Sequence, residues 1–156
     1  VAGSIGIGFR VRVGVGDRDG PARPELEELA RTTGGDVRFL GFLDREEMPA
    51  FYSALSVFVF PSPVETQGIV ALEANACGTP VVGADAGALA ETILDGKTGY
   101  RFPVGDIQAL QAAVERAREN RSELSNACLD RREEISVERT IDRLDDLYES
   151  VRLKRG

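Results

Sequence analysis

Short apolar runs recur along this chain, and most are followed by a stretch whose apolar side chains have helical spacing. The run at residues 57–60 is continuously apolar, which is typical of a strand buried on both faces of a parallel sheet. Strands that alternate with helices in this way predict an α/β fold with a parallel sheet flanked by helices. The predicted strands lie near residues 9–15, 37–40, 56–60, 80–83 and 98–102.

Capping residues and apolar periodicity predict where the helices begin and end. Gly78 ends a helix of small residues from about 69 to 77, because glycine suits the position after a helix. Asp106 and Ser136 are predicted N-caps, since their side chains can accept a backbone N–H of the first turn. The other predicted helices begin near Pro24, follow the pair Asp44 and Glu47, and cover residues 89–94 and 122–135. The helix after Ser136 carries an apolar stripe, made of Ile141, Leu144, Tyr148 and Val151.

Composition narrows the functional classes. The 156 residues suit one domain with a single core, and no apolar run is long enough to span a bilayer. The chain has no histidine, which excludes a His-based catalytic base and a zinc site within it. The net charge of -7 argues against nucleic acid as a partner. Cys77 and Cys128 are expected to be reduced thiols in a cytoplasmic protein. Residues 1–8 are expected to be a tag-like or frayed segment.

The turn between the strand at 56–60 and the helix at 69–77 concentrates the candidate chemistry. Glu65 precedes Gly68, and Glu73 follows on the helix. A helix N-terminus beyond the end of a parallel strand suits an anion, and carboxylates accept hydrogen bonds from hydroxyls. This combination favours a hydroxyl-rich phosphate ester as ligand. The alternative is that Glu65 caps the helix and Glu73 lies on a solvated face.

Four segments of the sequence together resemble the donor site of retaining family-4 glycosyltransferases. The acidic residues Glu65 and Glu73 match the two acids of that family's signature, with seven residues between them. The resemblance covers residues 10–148 and implies a Rossmann-like domain, the C-terminal half of the GT-B fold. The matching segments are residues 61–82, the loop AGALAE at 86–91, the turn DGKTGY at 95–100 and the segment VRFLGFL at 37–43.

This resemblance assigns roles to individual residues. Glu73 would hold the ribose hydroxyls of a nucleotide sugar, and Glu65 would be the catalytic residue that contacts the donor sugar near the reacting carbon. Phe42 and Leu43 would border the base. Backbone N–H groups would meet the sugar or the diphosphate, namely those of Gln67, Gly68, Ile69 and Val70. A nucleotide-diphosphate sugar is then the substrate, with no cofactor and no metal required.

The implied enzyme transfers a hexosyl group, with retention, to an acceptor that is a sugar or a lipid-linked sugar. Residues 9–156 would be its donor-binding domain. Two parts of that enzyme are expected to be missing, the first strand–helix unit of this domain and an N-terminal domain. The N-terminal domain would be the partner that binds the acceptor, and it could touch a membrane surface. The chain alone is therefore expected to be inactive. The alternatives are a nucleotide-binding or interaction module without transfer activity, and a GT-B nucleotide-sugar epimerase.

The sequence departs from the family pattern at several points. The family's Arg and Lys that stabilise the leaving diphosphate have no match in this chain. Gln67 stands where an aromatic residue is common, and Ala88 replaces a glycine, which predicts a less pliable loop. Glu91 could support the turn from behind or be a surface acid. Cys77 is expected to be a small core residue.

Overall fold

A computed structural model of the chain describes residues 10–13, 21–33 and 36–153. The chain divides into two compact units, with the division between Met48 and Pro49. The segment 1–8, expected to be tag-like, lies outside the described residues, as do both ends of the strand predicted at 9–15. Each unit contains its own parallel sheet.

The first unit is a strand–helix–strand arrangement. Strand β1 (Arg10–Val13) pairs in parallel with β2 (Asp36–Phe39), and helix α1 (Arg23–Thr33) connects them along the chain. The Arg23 guanidinium lies over the Phe39 ring, 5.7 Å from its centroid, and links α1 to β2. No residue of α1 is buried, so its apolar residues Leu26 and Leu29 remain exposed.

The second unit has a three-stranded parallel sheet in the order β3-β4-β5. The strands are β3 (Phe58–Phe60), β4 (Val81–Ala84) and β5 (Gly99–Phe102), within a residue or two of the predicted positions. The helices are α2 (Met48–Ser53), which begins at the division between the units, α3 (Ile69–Ala76), α4 (Leu89–Thr92), α5 (Ile107–Glu119), α6 (Arg121–Asp130) and α7 (Val137–Leu153).

The core lies around the central strand. All four residues of β4 are buried, because β3 and β5 cover its edges and helices cover its faces. Short and β-branched side chains in β4 let α3 and α5 approach the sheet closely. The main apolar cluster consists of Val82, Ala84, Tyr100, Phe102, Ala113, Ala117 and Leu124.

Local capping determines the helix ends, with one departure from the prediction. The Ala109 N–H donates to Asp106 Oδ1 at 2.8 Å, and the Arg139 N–H donates to Ser136 Oγ at 3.1 Å, so both predicted N-caps are confirmed. The helix predicted at 122–135 ends at Asp130 instead. There the Arg132 N–H donates to the Leu129 carbonyl oxygen, an i to i−3 bond that tightens the turn and stops the α-helical pattern.

Helix α7, like α1, leaves its apolar side chains exposed. Its predicted apolar stripe is exposed, with Tyr148 at 72% and Ile141 at 52%. Among the described residues, no helix combines the length and apolar content needed to cross a membrane.

Candidate functional site

The candidate site is formed where two loops leave the carboxyl ends of neighbouring parallel strands. The β3–α3 turn carries Glu65, and the β4–α4 loop carries Gly87 and Ala88. The Ala88 N–H donates to the Glu65 carbonyl oxygen at 3.0 Å, which joins the two loops directly. The crevice beyond such strand ends is the usual ligand position in open α/β sheets.

Glu65 caps its own turn through its side chain. Glu65 Oε1 accepts the N–H groups of Gln67 at 3.1 Å and Gly68 at 3.2 Å. These two backbone donors, that of Gln67 first, lower the pKa of the Glu65 carboxyl, so it is ionised at neutral pH. Glu65 thus closes the turn that precedes α3, but it does not cap the helix itself, because neither donor belongs to the helix that begins at Ile69. Because both bonds end on one oxygen, Oε2 is left for a further partner.

Gly68 is the N-cap of α3 and has a left-handed backbone, with φ at 65°. A Cβ at this position would lie 2.7 Å from Thr92 Oγ1, because the turn sits directly on α4. Thr92 Oγ1 is itself engaged, donating to the Ala88 carbonyl oxygen at 2.7 Å. Two independent reasons therefore favour glycine at position 68, namely its left-handed backbone conformation and the lack of space for a Cβ beside Thr92.

The backbone donors predicted for the ligand fall into two pairs. The N–H groups of Gln67 and Gly68 are occupied by Glu65. Those of Ile69 and Val70 have no hydrogen-bond acceptor in the part of the chain that the structure describes. Two open N–H groups at the first turn of a helix are the ones available to an incoming anion or hydroxyl.

Glu73 lies in the second turn of α3, about 6 Å along the helix axis from Ile69. Its side chain is exposed, but it is held by α2, because the Tyr52 hydroxyl donates to Glu73 Oε2 at 3.1 Å. Tyr52 is 2% exposed, and its ring packs edge-on against Phe58 with centroids 5.3 Å apart. Burial, followed by the negative charge of Glu73, raises the pKa of the Tyr52 phenol, so the hydroxyl remains a donor.

Tyr52 is a residue that the sequence reasoning missed. The sequence predicted a helix after Asp44 and Glu47 but did not single out Tyr52, which is the buried residue of α2, whereas Met48 and Phe51 are half-buried. The available signal was chemical, since a buried tyrosine usually finds a partner for its hydroxyl. The carboxylate on the facing helix is that partner.

Arg101 is a second residue that was missed. Its Nη1 donates to Asp85 Oδ1 at 3.0 Å and to the Ala90 carbonyl oxygen at 2.9 Å, so it braces the β4–α4 loop. The Arg101 N–H in turn donates to Asp95 Oδ1 at 2.8 Å. The turn at 95–100 therefore supports the loop that binds the Glu65 backbone.

The remaining candidate residues occupy varied positions. Phe42 is 61% exposed and Leu43 is half-buried, and both lie after β2 in the first unit.

Glu91 is exposed and makes no side-chain hydrogen bond within the described residues, and Ala88 and Thr92 support the turn instead. Ala88 has φ at -66°, so a glycine is not needed there. Cys77 is half-buried with a free thiol, and Gln67 is exposed.

The acidic side chains that the structure describes do not converge on a metal-binding geometry. Residues 10–13, 21–33 and 36–153 contain no group of three or more histidine, cysteine or acidic side chains placed to hold a metal ion. The chemistry of the site therefore consists of two carboxylates and two open backbone donors.

Comparisons with known proteins identify the family of most of this chain. Residues 7–134 match the family model described as Glycosyl transferases group 1. The sulfoquinovosyl transferase of Arabidopsis thaliana is 43% identical over 93 residues, 58% of this chain and 18% of that protein. The chain spans less than a third of the length of the curated relatives it matches.

Two solved structures share the fold of this chain. The sucrose-phosphate synthase of Thermosynechococcus elongatus superposes with a TM-score of 0.78 and 31% identity, over 93% of this chain and 39% of that one. Anabaena HepE, solved in complex with UDP-glucose, superposes with a TM-score of 0.62 and 28% identity, over 70% of this chain and 30% of that one. The predicted fold class is confirmed.

Proposed function

The chain belongs to the glycosyl transferases group 1 family, and on that premise we propose that it is the donor-binding part of a nucleotide-sugar-dependent glycosyltransferase. The observation that carries the proposal is the pairing of two carboxylates with two open N–H groups on one turn. Glu65 and Glu73 flank the first turn of α3, and Ile69 and Val70 lie between them. Anabaena HepE, which has the same fold, was solved with UDP-glucose bound, and this supports the choice of ligand.

The ribose, the transferred sugar and the diphosphate each find a complementary group around the N-terminal half of α3. Ribose hydroxyls donate to Glu73, whose Oε1 is not used by Tyr52. Hydroxyls of the transferred sugar donate to Glu65 Oε2, and the N–H groups of Ile69 and Val70 accommodate the sugar or the diphosphate. No step requires a metal ion or a cofactor from this chain.

The proposed reaction is hexosyl transfer with retention. The bond between the anomeric carbon and the diphosphate oxygen breaks, a bond to the acceptor oxygen forms, and the acceptor proton leaves with the diphosphate or solvent. Positive charge develops on the sugar as the bond breaks, and the nearby Glu65 carboxylate stabilises it. The lowered pKa of Glu65 keeps that carboxylate charged. An N-terminal domain would supply the acceptor site, and the family's Arg and Lys, which have no match in this chain, would stabilise the leaving diphosphate.

The proposal is tested by calorimetry of UDP binding to the wild-type chain and to Glu73→Ala. Loss of a charge-assisted hydrogen bond should weaken binding by about 1.5–3 kcal/mol, roughly 10- to 150-fold. Glu119→Ala is the matched control, because it removes one negative charge from an exposed position at the end of α5. Equal affinity of the Glu73→Ala and wild-type chains would refute the proposed site, and the Glu119→Ala chain should bind as the wild type does.

A further inference from the structure

We infer that Tyr52 is the positioning residue of this site. It fixes the Glu73 carboxylate so that the site binds a ribonucleotide, with its two ribose hydroxyls, more tightly than the corresponding 2′-deoxyribonucleotide. The inference deepens the proposed function and rests on it. It begins from the Tyr52 hydroxyl, which donates to Glu73 Oε2 at 3.1 Å across the interface of α2 and α3. No other hydrogen bond to the Glu73 side chain exists among the described residues.

Tyr52 can hold Glu73 because its own position is fixed. Its ring is edge-on to Phe58 and tilted against Phe51, with centroids 5.3 Å and 5.5 Å away. Its carbonyl oxygen accepts the hydroxyl of the buried Thr79 at 2.7 Å. A side chain locked at both its ring and its backbone offers its hydroxyl at a defined point.

The hydrogen bonds around Tyr52 form a closed circuit. Asn75, two residues after Glu73 on α3, donates its Nδ2 to the Thr79 carbonyl oxygen at 3.1 Å and to the Thr98 carbonyl oxygen at 3.2 Å. Thr79 bonds to Tyr52, and Tyr52 bonds to Glu73, which returns the circuit to α3. The exposed carboxylate is thus tied to the buried part of the unit and to Thr98, the residue before β5.

This circuit has a consequence for binding. A free surface glutamate rotates about three side-chain torsions, and a ligand that binds it must immobilise them, which costs affinity. Here the rotation is restricted before the ligand arrives. With Oε2 engaged by Tyr52, Oε1 and the remaining lone pair of Oε2 stay available in the plane of the carboxylate, which suits a pair of adjacent hydroxyls. A nucleotide whose ribose lacks one hydroxyl should therefore gain less binding affinity from the fixed Glu73 carboxylate.

The test compares UDP with 2′-deoxy-UDP, titrated against the wild-type chain, Tyr52→Phe and Tyr100→Phe by ligand-observed NMR. GDP and ADP with their 2′-deoxy forms are run in parallel, and the tightest pair is used. Tyr52→Phe keeps the buried ring and removes only the hydroxyl. Tyr100→Phe is the matched control: Tyr100 is also buried, and its hydroxyl oxygen accepts Asn120 Nδ2 at 3.0 Å, away from Glu73.

We expect Tyr52→Phe to weaken binding of the ribonucleotide about 3- to 10-fold and to weaken the deoxy form less, so that discrimination falls. Tyr100→Phe should leave the ratio of the two dissociation constants unchanged. If Tyr52→Phe weakens both nucleotides equally, or neither, Tyr52 is only a structural residue and the inference is wrong. If the wild-type chain binds none of the six nucleotides, the proposed function itself fails and the inference with it.

Discussion

Replacement of Gly87 by alanine tests how tightly the two loops of the site are fitted together. Gly87 has φ at 52°, and a Cβ there would lie 2.7 Å from the Glu65 carbonyl oxygen. A left-handed alanine costs about 1–2 kcal/mol. The contact adds about 1–3 kcal/mol, as in other overpacked sites, because a backbone oxygen cannot rotate away as a side chain can. The expected loss of unfolding free energy is therefore about 2–5 kcal/mol.

The chain offers a matched control for this prediction. Gly96 also has a left-handed backbone, with φ at 73°, but a Cβ there meets nothing within 4 Å. Gly96→Ala should lose only the conformational part, about 1–2 kcal/mol. Urea unfolding followed by tyrosine fluorescence reports the second unit, since Tyr52, Tyr100 and Tyr148 all lie in it. Equal urea midpoints for the two variants would refute the close fit, and Gly87→Ala should also lose nucleotide affinity.

Two further predictions concern Cys128 and Glu65. Burial raises the pKa of the Cys128 thiol from 9.0 to about 12, so the folded chain retains a proton that the unfolded chain loses. The free energy of unfolding should therefore decline as pH rises above 9.0, and an increase above that pH would contradict the buried, protonated thiol. Native Cys128 should also resist alkylation until urea unfolds the chain. In an enzyme that joins this chain to an acceptor-binding domain, Glu65→Gln should lower kcat about 10²-fold with little change in donor KM, and steady-state kinetics showing only a raised KM would reduce Glu65 to a binding residue.

Local signals predicted much of the fold. The continuous apolar run before Pro61 became β3, and Gly78 ends α3 as expected, with the Thr79 N–H donating to the Ala74 carbonyl oxygen beyond it. Asp106 and Ser136 cap their helices. These features depend on residues close together in sequence, and hydrogen-bonding chemistry over three or four positions is readable from the chain alone.

Contacts between distant residues could not be predicted in this way. The Tyr52 to Glu73 bond spans 21 positions, and it depends on how α2 packs against α3. Arg101 reaches back to Asp85 only because β4 and β5 are adjacent and parallel. The sequence offered helix capping as the alternative role of Glu65. In the structure one of its oxygens instead accepts two N–H groups of the turn before the helix, and the other oxygen accepts none of them.

The most direct test of the account is amide chemical-shift mapping of the isotopically labelled chain, titrated in turn with UDP-, GDP- and ADP-glucose. If the first turn of α3 binds the donor, one of the three should shift the amide signals of Gln67, Ile69, Val70 and Glu73 more than those of α5 and α6. The same titration of Glu73→Ala should give a markedly weaker response. Shifts confined to other parts of the second unit, or no response to any of the three sugars, would contradict the assignment of this turn as a donor site.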